Sequence, residues 1–285
     1  MVTPNRRRIV VDDLQREFGV SQRRACRTVG QHRSVQRYKP RPVPSDDEQI
    51  RVWLRAFARR RPRWGWRRAA TGLRAEGWTV NNKRVRRLWR DEGLQVPTKR
   101  KRKRLMGVGT HVGAMSPIQP NALWALDFQF DRTIDGRQVK LLNVIDEFTR
   151  QCLAIVVDHS IDADQVVATL ARLSVERGRS PAYVRFDNGP EFVAHAVVDW
   201  CAEAGVETVF IDPGSPWQNA WIESFNSRLR DELLNRWYFD SLLEAQVLIE
   251  DWRIDYNTKR PHSAHGGLTP TDYHQTWTNQ QPQLA

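Results

Sequence analysis

The sequence is short of the features that mark several large functional classes. Its 285 residues hold only three cysteines, Cys26, Cys152 and Cys201, far apart and odd in number, so neither a disulfide framework nor a CxxC zinc half-site can be drawn. No stretch approaches the roughly 18 consecutive apolar residues of a membrane span, and no membrane partner is expected. The opening MVTPNRRRIVVDDLQ has basic residues but lacks the apolar core and small-residue cleavage site of a signal peptide. No GxSxG elbow supports a serine hydrolase. The five tyrosines come without the Arg/His constellation of a tyrosine recombinase. Reduced thiols in a cytoplasmic protein are the expectation.

What is abundant is positive charge, unevenly placed. Residues 1–110 carry 31 Lys and Arg against 9 Asp and Glu, a net +22. Residues 111–285 carry 14 against 24, a net −10. A basic front joined to an acidic back points to an N-terminal part that neutralises phosphates, because each such contact releases counterions from a polyanion.

Along the front half, VVDDLQREFG reads as a short amphipathic helix through Leu14 and Phe18 that ends at Gly19. Ser21 is placed to cap a second helix carrying Arg23, Arg24 and Arg27, which gives a helix-turn-helix outline. Three prolines between Lys39 and Pro44 mark a linker, so residues 1–44 form a first segment. Residues 45–96 form a second module. Ile50, Trp53, Leu54 and Phe57 share one face of its first helix, and its last helix starts near Asn82 with Asn81 or Asn82 as cap. That last helix turns Val85, Leu88 and Trp89 inward, leaving Lys83, Arg84, Arg86, Arg87 and Arg90 as candidate DNA contacts in a groove. The run Lys99, Arg100, Lys101, Arg102, Lys103 and Arg104 is a candidate phosphate-binding arm within a basic, glycine-containing linker at 97–120.

From residue 121 the pattern changes. NALWALDFQF, KLLNVIDEF and CLAIVVD read as three adjacent strands. Two helices then alternate with the strands PAYVRFD and VETVFID, and two further helices follow, one after Pro216 and one from about Ser241 to Tyr256. Together they predict an α/β domain with a mixed sheet over 121–275, followed by a tail at 276–285.

Three acids stand out by position. Asp127 lies within the first strand, Asp187 directly follows the strand YVRF, and Glu223 lies in a helix whose start is signalled by Ser215 and Pro216. Clustered carboxylates repel one another, so such a trio makes sense as a site for hard divalent cations. Two ions about 4 Å apart suit an in-line phosphoryl transfer. Pattern alone does not select these three from the 24 acids of the back half. Asp131, Asp135 and Asp146 are read as structural, with Asp135-Gly136 as a hairpin turn. His195 is read as a packed or surface residue, and Trp217 and Trp221 as core.

The motifs WALDFQFD, VRFDNGPEF and SPWQNAWIESFNSRLRDELL occur in order, with 59 residues between the first two acids and 35 between the last two. With the closing YNTKRPHSAHGGLTP, they make the chain similar, over about residues 6–275, to the second-frame product (OrfB) of bacterial insertion-sequence transposases of the retroviral-integrase-like DDE family. His265 departs from the leucine more usual at its place.

The resemblance implies an RNase H-like core, a mixed five-stranded sheet with flanking helices, preceded by small all-α modules of helix-turn-helix type. It implies Asp127, Asp187 and Glu223 as catalytic residues and ligands of two Mg²⁺ (or Mn²⁺) ions. Cleavage and joining of DNA strands at the element's ends follow, with water as the first nucleophile and the freed 3′-hydroxyl as the second. Arg230, seven residues after Glu223, becomes a DNA-contact candidate, and Asn188, Gln218 and Asn219 become auxiliary positions that could place DNA or the turn and serve equally well as structural caps. Expected partners are DNA (terminal repeats and target), further copies of the chain on that DNA, and the product of an upstream frame (OrfA) or a fusion with it, in a nucleoid-associated setting. No zinc is expected, because the cysteine pair of the integrase zinc module is missing. Two other functions are compatible with parts of the pattern: a non-catalytic DNA-binding regulator of transposition, and an RNase H-type nuclease.

Overall fold

The structure, a computed structural model, describes residues 4–38, 46–96, 117–186, 194–210 and 219–280. The chain divides into two compact units, Met1–Trp53 and Leu54–Ala285.

The first unit begins with α1 (Pro4–Phe18), α2 (Gln22–Val29) and α3 (Arg33–Arg37). Gly19 takes φ +58 where α1 stops, a left-handed turn that a glycine adopts without strain. The Ser21 hydroxyl then accepts from the Arg24 N–H at 3.3 Å, as its capping role requires. Val11, Ala25 and Cys26 form a small core against Leu14, Val20 and Val29. Phe18, expected on the buried face, is exposed, because as the last helical residue it lies past the end of this core. Helix α3 is too short to announce itself by periodicity, and His32 caps it through Nδ1. The expected linker at 39–44 lies outside the described residues.

Helix α4 (Asp47–Arg60) buries Ile50, Leu54 and Phe57, the face its spacing predicts. In the second unit Phe57 packs at a tilt on Trp64 and edgewise on Trp89, with ring centroids 5.9 and 6.3 Å apart. Helix α5 (Trp66–Ala75) and helix α6 (Asn82–Asp91) complete this helical module. The Asn81 side chain accepts from the Lys83 N–H at 2.8 Å, and Val85, Leu88 and Trp89 turn inward. Lys83, Arg86, Arg87 and Arg90 are exposed and Arg84 is half-buried. The arm Lys99–Arg104 lies outside the described residues.

The remaining elements build an α/β layer structure. Strands β1 (Leu123–Arg132), β2 (Gln138–Asp146) and β3 (Cys152–Asp158) form an antiparallel meander, turned between β1 and β2 at Asp135-Gly136. Helix α7 (Ala163–Glu176) opens with a capping box of Asp162 and Gln165, then β4 (Tyr183–Phe186) adds parallel to β1. Helix α8 (His195–Glu203) leads to β5 (Glu207–Phe210), parallel to β4, and the sheet order is β3-β2-β1-β4-β5. Helix α9 (Ala220–Leu229) runs directly into a π-helical turn (Arg230–Leu234). Helices α10 (Leu242–Thr258) and α11 (Pro270–Gln280) follow. The Ser215–Pro216 start signal lies outside the described residues, and α11 reaches into the segment read from sequence as a tail.

The period of two in β1 divides the core. Trp124 and Leu126 point to one face and pack with Leu142, Val144, Leu170 and Val197, beneath α7 and α8. Leu123 and Ala125 point to the other and pack with Leu141, Ile222, Phe225, Ile249 and Tyr256, beneath α9 and α10. This is the mixed five-stranded sheet with flanking helices that the sequence predicts. No described helix is long and apolar enough to cross a membrane.

Candidate active site

Strand parity decides which way the first acid faces. Asp127 continues the series Leu123, Ala125, so it emerges toward α9 rather than α7. Gln129 and Asp131 follow on the same face, and α9 with the π turn after it meets all three. The Asn226 amide donates to Asp127 Oδ2 at 2.7 Å, Gln129 donates to the Asn226 carbonyl at 3.2 Å, and Arg230 donates to Asp131 at 3.3 Å and to the Phe130 carbonyl. Asn143, opposite Asp127 in register and fully buried, donates to Asn226 Oδ1 at 2.7 Å. A polar chain from β2 through α9 to Asp127 therefore fixes the carboxylate of this half-buried residue.

Glu223 lies three residues before Asn226, one turn back on α9, and is exposed. Ile222, Phe225 and Leu229 hold the opposite stripe of the helix in the core. Asp187 follows β4, the parallel neighbour of β1, and with Asn188 and Gln218 it lies outside the described residues. Among the described residues no group of three or more His, Cys, Asp or Glu side chains is placed to hold a metal. Asn219 is the N-cap residue of α9, buried, with no side-chain cap bond and no partner for Oδ1. Arg230 sits in the π turn with its guanidinium on β1.

Sequence reasoning missed Asn226 and Asn143, whose only signal is an Asn on the buried side of a helix and another within an apolar strand. Trp221 is a correction: it is 46% exposed rather than core, because α9 turns its 222/225/229 stripe inward and leaves Trp221 to stack under Arg150. Asp131 accepts from Arg230, and Asp135 accepts from Thr133 and Arg137 within its turn. Asp146 is buried and accepts from Phe148 N–H, Thr149 Oγ1 and Asn121 N–H, and burial pushes its carboxyl up. His265 is buried, stacked on Tyr273 at 3.8 Å and bonded to the Thr149 carbonyl at 3.0 Å.

Beside the site, four arginines of the helical module reach acids, three of them in the sheet domain. Arg63 grips Asp231 through two bonds of 3.0 and 2.6 Å, Arg61 binds Asp255, and Arg55 binds Glu92 at 2.8 Å. Glu232 is a buried hub: it accepts from Trp64 Nε1 at 3.2 Å, Arg68 at 3.4 Å and Arg260 at 2.8 Å. Burial alone would raise the Glu232 carboxyl, but the bonds and charges of Arg260 and Arg68 outweigh it and hold the carboxyl below its usual range. Elsewhere Glu147, paired with Arg185 at 2.8 Å in the β2–β3 turn, is pushed up to about 7 by burial, against the opposing charges of Arg185 and Arg150.

A mixed sheet of this order, with an acid on its central strand tied to the helix that bears Glu223 and an arginine-rich helical module ahead of it, fits the class of integrase-core polynucleotidyl transferases. Residues 117–216 and 204–270 match two family models described as integrase core domain, and residues 44–102 match an HTH-like domain. The chain is 40% identical over 284 residues to the 39.2 kDa protein of insertion element IS476 from Xanthomonas euvesicatoria, covering 100% of this chain and 81% of that one. It is 41% identical over 260 residues to the 31.7 kDa protein of insertion element IS407 from Burkholderia multivorans, covering 91% and 92%. The transposase of insertion sequence element IS904 from Lactococcus lactis is 27% identical over 228 residues, covering 76% and 89%. The chain belongs to the OrfB-type transposases of bacterial insertion sequences, with an integrase core domain. Its function is that of a DNA transposase.

Proposed function

We propose that the chain cleaves and joins DNA strands at the ends of its insertion sequence with Asp127, Asp187 and Glu223 as the catalytic acids. The observation that carries the reading is the bond from Asn226, on the helix that bears Glu223, to Asp127 on the central strand. It ties the two acid-bearing elements together across the sheet face.

The donor chemistry fits two Mg²⁺ or Mn²⁺ ions, since carboxylate oxygens are what these hard cations take. Bound there, such ions supply charge neutralisation at the attacking and leaving oxygens of a phosphoryl transfer. The chain's own residues do the rest. Asn226 and Asn143 hold Asp127 in one orientation, and a water and then the freed 3′-hydroxyl attack phosphorus in turn. Each attack forms one P–O bond as another breaks, without a covalent protein intermediate.

In this reading the module at 45–96 and the linker at 97–120 hold DNA ahead of the core at 121–275. Helix α6, through Lys83, Arg84, Arg86, Arg87 and Arg90, follows a groove, and Lys99 to Arg104 follow the backbone. Arg230 is held by Asp131 and released to DNA on binding. Further copies assemble on the two ends and the target, and an upstream-frame product or fusion completes the machinery.

The experiment is a joining assay with a labelled terminal-repeat oligonucleotide and Mg²⁺. Asp127→Asn and Glu223→Gln are each expected to lose joining to background while binding the oligonucleotide as tightly as the parent. Joining by either variant at parental rates sinks the assignment.

A further inference from the structure

On the flank of α9 turned away from Asp127 lies a cavity of about 170 Å³ that the catalytic reading does not use. Its walls come from α5, the β2–β3 turn, α9 and the chain after α10, including Pro261 to Ala264 of the closing motif. Arg68, Arg150, Arg228 and Arg260 all line it, together with Ser224 and Trp221. Three carboxylates act on these four guanidinium groups. Glu232 holds Arg68 and Arg260, while Glu147, bound to Arg185, and Asp146 attract Arg150. No acid pairs with Arg228 among the described residues, and His262, also on the wall, is held neutral by burial and by Arg260.

Arg150 is the telling residue. It adopts φ +61 at the end of the β2–β3 turn, a left-handed conformation that favours glycine, yet the position carries a long cationic side chain. Its guanidinium stacks on Trp221, and its Nε and Nη1 are buried without a hydrogen-bond partner. Buried donors in a native structure are satisfied in the great majority of cases, so two orphaned N–H groups on a residue that lines a pocket with three more arginines call for an acceptor.

We infer that this pocket takes a phosphate group of a nucleic-acid strand, held by Arg150, Arg228 and the Ser224 hydroxyl and framed by Arg68 and Arg260. A tetrahedral oxyanion presents acceptors to several guanidinium donors at once. The pocket adjoins a wider cavity of about 430 Å³ along the start of α5, sharing Arg68, Pro261 and Ser263, so a strand has a path out of it. This inference rests on the DNA-transposase reading and adds a phosphate contact on the far side of the helix that carries Glu223.

The test uses the full chain in magnesium-free buffer with two probes, inorganic phosphate and a terminal-repeat duplex. Arg228→Gln, at an exposed position, and Ser224→Asp are compared with the parent, each first shown to melt as the parent does in chloride. Phosphate is expected to raise the parent's melting temperature above that in chloride of equal ionic strength, and to leave Ser224→Asp unmoved. For the duplex, Arg228→Gln is expected to flatten the slope of log affinity against log salt by about 0.9, one phosphate's worth. A phosphate response with an unchanged slope makes this a site for free anion and overturns the strand contact. A slope change without a phosphate response puts Arg228 on the outer surface and overturns the pocket, and absence of both overturns it outright. Asp127→Asn loses joining whichever result is found, so the pocket and the active-site assignment fail separately.

Discussion

Two arginine-rich stretches lie close together in the chain, at residues 61–68 and 83–90, and they are placed differently. In the first, Arg61, Arg63 and Arg68 reach Asp255, Asp231 and Glu232, acids that come more than 160 residues later. In the second, Lys83, Arg86, Arg87 and Arg90 stand exposed on α6, above a stripe of Val85, Leu88 and Trp89 that holds the helix in place. Part of the positive charge in the front half is thus matched inside the molecule by the negative charge of the back half. A net of +22 on residues 1–110 therefore overstates what is presented to a polyanion.

The sharpest way to break this contrast is at its buried end. Glu232→Gln leaves Arg68 and Arg260 facing each other without their shared anion, and it is expected to cost about 3–5 kcal/mol in unfolding free energy. A denaturant titration showing less than about 1 kcal/mol would mean that the hub contributes no more than a surface pair. Acid tests the same crowding. His262 is depressed to about 2 by burial and by Arg260, below its ordinary value of 6.5, so the folded chain holds it neutral while the unfolded chain takes up a proton. Its contribution is present above pH 6.5 and is lost as pH falls toward 2, at up to about 1.4 kcal/mol per pH unit. Thermal melts between pH 7 and 5 are expected to show that slope, and His262→Gln to flatten it. The mildest comparison sets the two stretches side by side. Arg63→Ala should lower stability by about 0.5–1 kcal/mol, through a pair that is only partly buried. Lys83→Ala with Arg90→Ala should stay within about 0.5 kcal/mol of the parent and instead reduce the salt dependence of duplex binding. A double variant on α6 that binds DNA with an unchanged salt slope would remove the groove assignment.

Much of the architecture was legible because it rests on local chemistry. Ser21 and Asn81 announce helices by capping, and each side chain accepts the expected backbone N–H. The parity of β1, with Trp124 and Leu126 on one side and Ala125 and Asp127 on the other, is written in the strand itself. What sequence could not disclose depends on distant partners. Asp231 and Glu232 look like a solvated helical pair until Arg63, Trp64 and Arg68 are brought beside them. Nothing in RDELL signals that the helix loosens into a π turn there, which lets Arg230 face β1 while its two acidic neighbours face the helical module. Asn226 reads as an ordinary polar residue until Asn143 and Asp127 converge on it. Of the proposed acids, Asp127 and Glu223 have a described setting, and the choice of all three came from ordered motifs rather than from spacing of charge.

The split character of the sheet also orders events in time. The meander β1-β2-β3 joins strands that follow one another directly, so its pairing closes short loops. Pairing of β4 with β1 and docking of α9 on the same strand close much longer ones, and 96 positions separate Asp127 from Glu223. As the chain leaves the ribosome, Asp127 therefore sits on a strand that can already be paired while its helical counterpart is still unmade. A nascent or prematurely ended product has its HTH-like front before it has the helix that bears Glu223, so the order of synthesis keeps the strand-joining chemistry proposed for these acids from preceding the finished protein.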